Sequence, residues 1–268
     1  VVPSARSIWE GAVAAVLILL TNDDGIYAPG LAALETELRK IGDVSVVAPA
    51  TEQSGVAHSI TFLYPLICKE VFEGQRRRGW AVEGSPADCV KIGIFEFCER
   101  RPDLVVSGIN GGLNAGINVL YSGTVSAAME GLAAGVPSVG ISYGSFDLEH
   151  LESHRQGLER LVKRIVQVEN FPDETLLNIN LPPIPGDQVK GVRATNLGSR
   201  VFHEEIAKMK DPWGREVHWI GGGRGTRAGG ADSHLPAGRG GYISVTPLHV
   251  DLTNYKLLEV VSKWDLGK

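Results

Sequence analysis

Short apolar runs alternate with segments of helical periodicity through the first two thirds of the chain. The first apolar run, Leu17–Leu20, predicts a buried strand, and a helix follows because apolar residues recur three or four positions apart at Leu31, Leu34, Leu38 and Ile41. The same criteria predict strands at Val44–Ala48, Leu104–Val106, Ser138–Ile141 and Leu176–Leu181, a helix that begins at Ser85-Pro86-Ala87-Asp88, and helices over Thr124–Ala134 and Leu151–Val168. This β-α-β alternation predicts an α/β fold with a Rossmann-like, doubly wound, mostly parallel sheet.

The pattern changes after Leu181, where three prolines interrupt the chain between residues 182 and 185. The remaining segments predict antiparallel strands at Val189–Thr195, Arg200–Glu204 and Glu216–Ile220, a glycine-rich loop at Gly221–Gly230, a last strand at Gly241–Val250 and a helix at Tyr255–Trp264. We therefore expect a catalytic core over residues 16–182 and a β-rich extension over residues 183–268 that completes the same domain.

The N-terminus permits two interpretations. Arg6 and the apolar run Gly11–Leu20 resemble a secretory signal, yet Val16–Leu20 is rich in strand-forming residues and ends at a strong turn sequence, Thr21–Gly25. The turn favours a first strand at this place, with residues 1–15 as an irregular leader.

Charge and cysteine content limit the classes of partner. The net charge is −5 and the pI about 5.8, so the chain lacks the basic footprint of a protein that binds duplex nucleic acid. An anionic substrate would have to be held by a local device, such as a metal or backbone N–H groups. Three cysteines without C-x-x-C spacing are typical of free thiols in a reducing cytoplasm. Beyond the N-terminal segment, no apolar run reaches the roughly 18 residues of a membrane span, so we expect no contact with a membrane.

Two adjacent carboxylates, Asp23 and Asp24, follow the first predicted strand within Asn22-Asp23-Asp24-Gly25. Ligands of doubly wound sheets bind beyond the carboxyl ends of the strands, and a divalent cation would relieve the repulsion between the two charges. Oxygen ligands of this kind suit Mg²⁺, Mn²⁺ or Ca²⁺. Asparagine, aspartate and glycine are also common in simple turns, so the isolated motif does not distinguish a metal site from a turn.

Three further segments carry polar side chains at strand or helix ends. Ser54 lies in Gln53-Ser54-Gly55, where the local sequence favours a cap or turn. Asn110 and Asn114 follow the strand Leu104–Val106 among glycines that would let the backbone approach a ligand closely. Since no G-x-G-x-x-G follows the first strand, a dinucleotide-binding dehydrogenase is disfavoured.

Tyr121-Ser122-Gly123-Thr124 precedes a predicted helix. Exposed N–H groups and the helix dipole make such a place a natural phosphate site, although an ordinary Ser or Thr N-cap explains the motif equally well. Taken together, the segments support one another, because a hard cation beside a phosphate site indicates phosphoryl chemistry.

Several long motifs resemble the SurE family of nucleoside monophosphate phosphatases. They are Leu19-Leu20-Thr21-Asn22-Asp23-Asp24-Gly25-Ile26, Gly84-Ser85-Pro86-Ala87-Asp88-Cys89-Val90, Ser107-Gly108-Ile109-Asn110, Tyr121-Ser122-Gly123-Thr124-Val125 and Tyr242-Ile243-Ser244-Val245-Thr246-Pro247-Leu248. The resemblance extends over nearly the whole chain from about Val16. It departs from the family pattern at Ala50 and Ser85, where the family usually has Asp and Thr.

The resemblance implies one divalent metal ion per subunit, bound by Asp23, Asp24, Ser54 and Asn110. It implies hydrolysis of nucleoside 5′- and 3′-monophosphates, and often of short polyphosphate, in the cytoplasm. It also implies homodimers or homotetramers in which C-terminal elements form the contacts.

The mechanism expected from these residues is in-line attack on phosphorus by a metal-activated water. Ser122, Gly123 and Thr124 would orient the phosphoryl oxygens, together with Asn110 and Asn114, and either aspartate could act as general base. An aspartyl-phosphate mechanism is disfavoured because it uses an Asp-x-Asp spacing. A non-catalytic nucleotide-binding module is the alternative, and it predicts binding without phosphate release.

The histidines are scattered, and only His150 and His154 share an i, i+4 face. No Glu follows His150 to make a zinc-protease motif, so a solvated helical face is favoured over a zinc site.

Overall fold

The computed structural model describes residues 16–167, 172, 174–198, 205–221 and 234–265, so the predicted leader lies outside the described residues. The strands are β1 (Leu17–Thr21), β2 (Asp43–Pro49), β3 (Cys68–Glu73), β4 (Arg76–Val82), β5 (Leu104–Gly111), β6 (Ser138–Tyr143), β7 (Leu176–Leu181), β8 (Val192–Ala194), β9 (Glu205–Lys210), β10 (Glu216–Gly221) and β11 (Ile243–Leu248). The α-helices are α1 (Pro29–Leu38), α2 (Pro86–Ile92), α3 (Gly123–Ala133), α4 (Leu151–Val166), α5 (His234–Arg239) and α6 (Tyr255–Val261).

Nine of these strands form one sheet in the order β3-β4-β2-β1-β5-β6-β7-β11-β8. Six consecutive strands, from β4 to β7, are parallel, whereas β3 and β11 run antiparallel to their neighbours β4 and β7. The predicted α/β fold with a mostly parallel sheet is confirmed.

Helices cover both faces of the sheet, which is why nearly every residue of its central strands is buried. Because side chains alternate along a strand, Ile18 and Leu20 of β1 pack on one face with α1 and α4, while Leu19 packs on the other face near α2 and α3. The chain passes from β1 to β2 on one side and later returns to β5 on the other. This reversal opens a crevice beyond the carboxyl ends of β1 and β5, where doubly wound proteins bind ligands.

The N-terminus of α2 follows its sequence signal. Ser85 Oγ accepts from the Asp88 N–H at 3.1 Å, and the Asp88 carboxylate accepts from the Ser85 N–H at 2.9 Å, which together form a capping box. Pro86 occupies the first turn, where its missing N–H costs no hydrogen bond.

The antiparallel pair β3 and β4 has no counterpart among the predicted strands. Most β3 side chains are exposed, so the segment lacks the apolar alternation of a half-buried strand. The pair is defined by its turn, in which Gly74 adopts φ +62°, and by its place at the edge of the sheet.

In the C-terminal region, one prediction is wrong and another lies outside the described residues. The predicted antiparallel strand at Val189–Thr195 is the short β8, which pairs in parallel with β11, because β11 itself reverses direction against β7. The predicted strand Arg200–Glu204 lies outside the described residues, as do residues 222–230 of the predicted loop, and the described strand is β9. The predicted strand Glu216–Ile220 is confirmed as β10, which forms an antiparallel hairpin with β9.

Two smaller expectations concern the cysteines and the histidines, and a third concerns membrane-spanning helices. Cys68, Cys89 and Cys98 are free thiols. His154 is not on a solvated face: it is buried, its Nε2 lies 2.7 Å from the Ile184 carbonyl oxygen, and its ring meets Tyr143 edge-on. Among the described helices, none combines the length and hydropathy needed to cross a bilayer.

Candidate active site

Asp23 and Asp24 lie directly beyond the end of β1, at the crevice between β1 and β5. Asn22 makes the turn that carries them, since its side chain donates to the Gly25 carbonyl at 2.9 Å and accepts from the Gly25 N–H at 3.2 Å. Gly25 has φ +99°, a conformation that glycine adopts without steric cost. Asn22 and Gly25 therefore form the turn, and neither aspartate side chain is needed to close it.

The N-terminus of α3 is packed against Asp23. Thr124 Oγ1 donates to Asp23 Oδ1 at 2.6 Å, and both side chains are buried. A Cβ atom added to Gly123 would lie 2.7 Å from Asp23 Cβ and 3.0 Å from Asp23 Oδ2. Only glycine allows this approach without a shift, so the positive end of the helix dipole acts on the carboxylate.

The environment opposes negative charge on both aspartates. Burial raises the pKa of Asp23, against the effect of its hydrogen bonds from Thr124. Burial and then the neighbouring charge of Asp23 raise the pKa of Asp24 to about 6, and the nearby backbone of Gly111 opposes this rise. A bound cation would relieve both costs, so the pair fits a divalent metal ion.

Asn110 lies near the end of β5, the strand beside β1. Its side-chain nitrogen donates to the Gly112 carbonyl at 2.8 Å. The amide oxygen of the side chain takes no part in this bond. An amide oxygen is a ligand that hard cations accept. Asn110 is next in sequence to Gly111, whose backbone lies near Asp24.

Ser54 lies in an exposed loop beside the aspartates. The Gln53 N–H donates to the Asp23 carbonyl oxygen at 2.7 Å, which fixes the loop against the β1 turn, while Ser54 Oγ donates to Glu52 Oε1 at 2.6 Å. The role of Ser54 as a metal ligand stays a prediction. In the described part of the chain, no three His, Cys, Asp or Glu side chains cluster as a metal site, so the aspartates would need hydroxyl or amide oxygens to complete one.

Glu52 is a residue that the sequence argument missed. Its charge acts on both aspartates and adds to the rise in their pKa. The signal that could have identified it is a carboxylate two positions before Ser54, in a segment whose sequence favours a turn.

Asn114 is hydrogen-bonded to residues of β6 and β7. It is buried, its side-chain nitrogen donates to Ser142 Oγ at 2.8 Å, and its backbone N–H donates to Asn180 Oδ1 at 3.0 Å. Its carbonyl oxygen accepts from the side chains of Asn178 and Asn180. These bonds hold the segment after β5 against β6 and β7, and direct contact between Asn114 and phosphate stays a prediction.

The loop that carries Ser54 is anchored by hydrogen bonds to α2 and α3 and to the residues just before them. His58 Nε2 lies 2.9 Å from Glu130 Oε2 on α3, and the Ala57 N–H donates to the Tyr121 carbonyl oxygen. Nearer α2, Thr61 Oγ1 donates to Asp88 Oδ2, and Ser85 Oγ donates to the Ser59 carbonyl oxygen. These bonds therefore connect the loop that carries Ser54 to α3, the helix that contacts Asp23. His58, one of the scattered histidines, makes one of these bonds.

Comparison with known proteins shows which family the chain belongs to. A family profile described as "Survival protein SurE" matches residues 18–204. The chain is 48% identical over 250 residues to a 5′-nucleotidase SurE of Gemmatimonas aurantiaca, covering 92% of this chain and 98% of that protein. It is 43% identical over 249 residues to a 5′-nucleotidase SurE of Syntrophobacter fumaroxidans, covering 93% and 99%.

A crystal structure of the SurE protein from Aquifex aeolicus superposes with a TM-score of 0.80 at 39% identity, covering 92% of this chain and 98% of that chain. Fold and site define a doubly wound α/β protein with paired carboxylates at the reversal of its sheet. Within that class, the chain belongs to the SurE family.

Proposed function

We propose that this protein is a divalent-metal-dependent 5′-nucleotidase that hydrolyses nucleoside 5′-monophosphates to nucleoside and phosphate. One observation carries the proposal: the Asp23–Asp24 pair lies at the reversal of the sheet, with the N-terminus of α3 packed directly against it. The curated names of relatives that are 43–48% identical support the substrate class. Activity on nucleoside 3′-monophosphates and on short polyphosphate belongs to the same proposal.

Asp23, Asp24, Ser54 and Asn110 would hold one divalent ion per subunit, Mg²⁺ or Mn²⁺, or Ca²⁺ in a crystal. The ion would supply positive charge toward the phosphoryl oxygens and lower the pKa of water. The donor set suits such an ion because it combines two carboxylates with hydroxyl and amide oxygens.

The start of α3 would orient the phosphate. Ser122 Oγ caps the helix by accepting from the Val125 N–H at 3.1 Å, and Thr124 contacts Asp23. Ser122, Gly123 and Thr124 thus lie where the helix dipole favours negative charge, next to the carboxylates. Asn110 and Asn114 would add amide contacts from the β5 side, and either aspartate is a candidate for the general base.

The protein would act as a homodimer or homotetramer. The β9–β10 hairpin pairs with no other described strand, yet it exposes Met209, Trp219 and Ile220. Helix α6 has no buried residue within the described chain and exposes Leu257 and Leu258. Apolar surface of this extent favours burial against a second copy of the chain. The free thiols accord with a cytoplasmic setting.

The decisive experiment measures phosphate release from a panel of 5′- and 3′-mononucleotides and short polyphosphates, with EDTA and with Mg²⁺ or Mn²⁺ added back. We expect release from 5′-mononucleotides that EDTA abolishes and metal restores. Binding of nucleotides without release across the whole panel would instead identify a non-catalytic nucleotide-binding module.

A further inference from the structure

An aromatic side chain stands exposed beside the candidate active site. Phe146 lies in the segment between β6 and α4, and 84% of it is accessible to solvent. It nevertheless has a fixed contact, because a Cβ atom added to Gly112 would lie 3.1 Å from its Cε1 and 3.2 Å from its Cζ. One edge of the ring therefore rests on the Gly112 backbone, and most of the ring surface is unused by the protein.

Short backbone contacts join this ring to the catalytic groups. The Gly111 backbone lies near Asp24 and favours its ionised form, and the Asn110 side chain donates to the Gly112 carbonyl oxygen. A Cβ atom added to Gly111 would lie 3.5 Å from Phe146 Cα. The strip Asn110–Gly112 thus has Asn110, a proposed metal ligand, at one end and the contact with the Phe146 ring at the other. The two ends are about two Cα–Cα steps of 3.8 Å apart.

The strip is also held in place. The Gly112 N–H donates to the Tyr143 carbonyl oxygen at 2.9 Å, and the Gly144 N–H donates to the Leu181 carbonyl oxygen at 2.9 Å. The backbone on both sides of the contact between Gly112 and Phe146 is therefore tied to the sheet, and the position of the ring relative to Asp24 follows from it.

We propose that Phe146 is a platform on which the base of a nucleotide substrate stacks while its phosphate lies at Asp23, Asp24 and Asn110. The proposal rests on the nucleotidase function proposed above and assigns a residue to recognition of the nucleoside. Stacking between an aromatic side chain and a base tolerates every base, because each base has a π-face. Phe146 would therefore favour nucleotides over other phosphate monoesters without selecting strongly among bases.

The test compares adenosine 5′-monophosphate with ribose 5-phosphate, which carries the same phosphoester but no base. In Phe146→Ala we expect the KM for adenosine 5′-monophosphate to rise about tenfold, with kcat little changed and with both constants for ribose 5-phosphate unchanged. Phe146→Trp should keep the low KM, since it restores a stacking surface. Phe95→Ala is the matched control, because Phe95 is also exposed (73%) but lies on the π-helical turn Gly93–Phe97.

Two results would overturn the proposal: equal changes for both substrates in Phe146→Ala, which would indicate a purely structural role, or no change for either. If the wild-type protein releases phosphate from neither substrate, the nucleotidase proposal fails on its own. The platform is then tested by calorimetric titration of the same two ligands into wild type and Phe146→Ala. Weaker binding confined to adenosine 5′-monophosphate supports it, and equal binding refutes it.

Discussion

Thr124 Oγ1 donates to Asp23 Oδ1 at 2.6 Å, although the two residues are 101 positions apart in the chain. This hydrogen bond joins the end of β1 to the start of α3, so one contact links a proposed metal ligand to the proposed phosphate site. Because Asp23 is buried, it has few alternatives to this donor.

Replacing Thr124 by Val should separate this bond from packing, because Val has nearly the same shape without the hydroxyl. Loss of a hydrogen bond to a buried carboxylate should lower the free energy of unfolding by about 1.5–3 kcal/mol and reduce kcat/KM for 5′-mononucleotides. Denaturant unfolding and steady-state kinetics measure the two effects. Thr124→Ser keeps the hydroxyl and should retain most of the activity, so equal losses in both variants would contradict this role.

Replacing Asp23 or Asp24 by Asn should remove activity but leave the fold intact. We expect kcat/KM to fall by at least about 10²–10³-fold in each variant, as happens when a group that stabilises transition-state charge is lost. The thermal unfolding midpoint should not decrease, since Asn keeps the shape and removes a charge that burial disfavours. An Asp24→Asn protein with full, metal-requiring activity would refute the assignment.

Replacing Gly123 by Ala tests the close approach of α3 to Asp23. The added methyl group would lie 2.7 Å from Asp23 Cβ, so the carboxylate or the helix must move, and kcat/KM should fall by about 10²-fold. Gly157→Ala in α4 is the matched control, because a Cβ atom there meets nothing within 4 Å. That control should keep full activity and gain about 0.5–1 kcal/mol of stability.

Replacing Ser54 by Ala should weaken metal binding without destabilising the protein. Ser54 is exposed and its hydroxyl bonds only to Glu52 among the described residues, so the unfolding midpoint should be unchanged. Activity titrated against Mn²⁺ after EDTA treatment should show a loss of apparent metal affinity of about tenfold or more. An unchanged titration curve would remove Ser54 from the ligand set.

The link between His58 and Glu130 should appear as a pH dependence of stability. The hydrogen bond from His58, opposed by burial and reinforced by Lys91, lowers the pKa of Glu130 below its ordinary 4.5. Because the folded state favours the ionised form, this contribution is fully present above the unfolded pKa of 4.5 and is lost as the pH falls through the lower folded pKa.

Denaturant unfolding of wild type and Glu130→Gln between pH 7 and about pH 3 measures this contribution of Glu130 to the free energy of unfolding. We expect the difference in unfolding free energy between the two proteins to shrink as the pH falls below 4.5. A difference that stays constant over this range would show that Glu130 does not stabilise the loop through its charge.

Local sequence determined the elements and most of their chemistry. The apolar run Leu17–Leu20 predicted a strand, and Ser85 with Pro86 and Asp88 predicted a helix start, because a short apolar run and an N-cap are signals that adjacent residues carry. The motifs around Asp23, Asn110 and Thr124 were enough to predict the SurE family, which the comparisons confirm. The polar edge strand β3 gave no such signal, since most of its side chains remain in water.

Tertiary structure decided which of these groups meet. The sequence left Asp23 equally suited to a turn or a metal site, and the structure assigns the turn to Asn22 and Gly25 and packs Thr124 against the carboxylate. It also decided the anchoring of the Ser54 loop by His58 and Glu130 and the contact of Phe146 with Gly112. Except for the Asn22–Gly25 turn, these contacts join residues far apart in the chain, where the order of strands in the sheet, rather than any local preference, sets the distance.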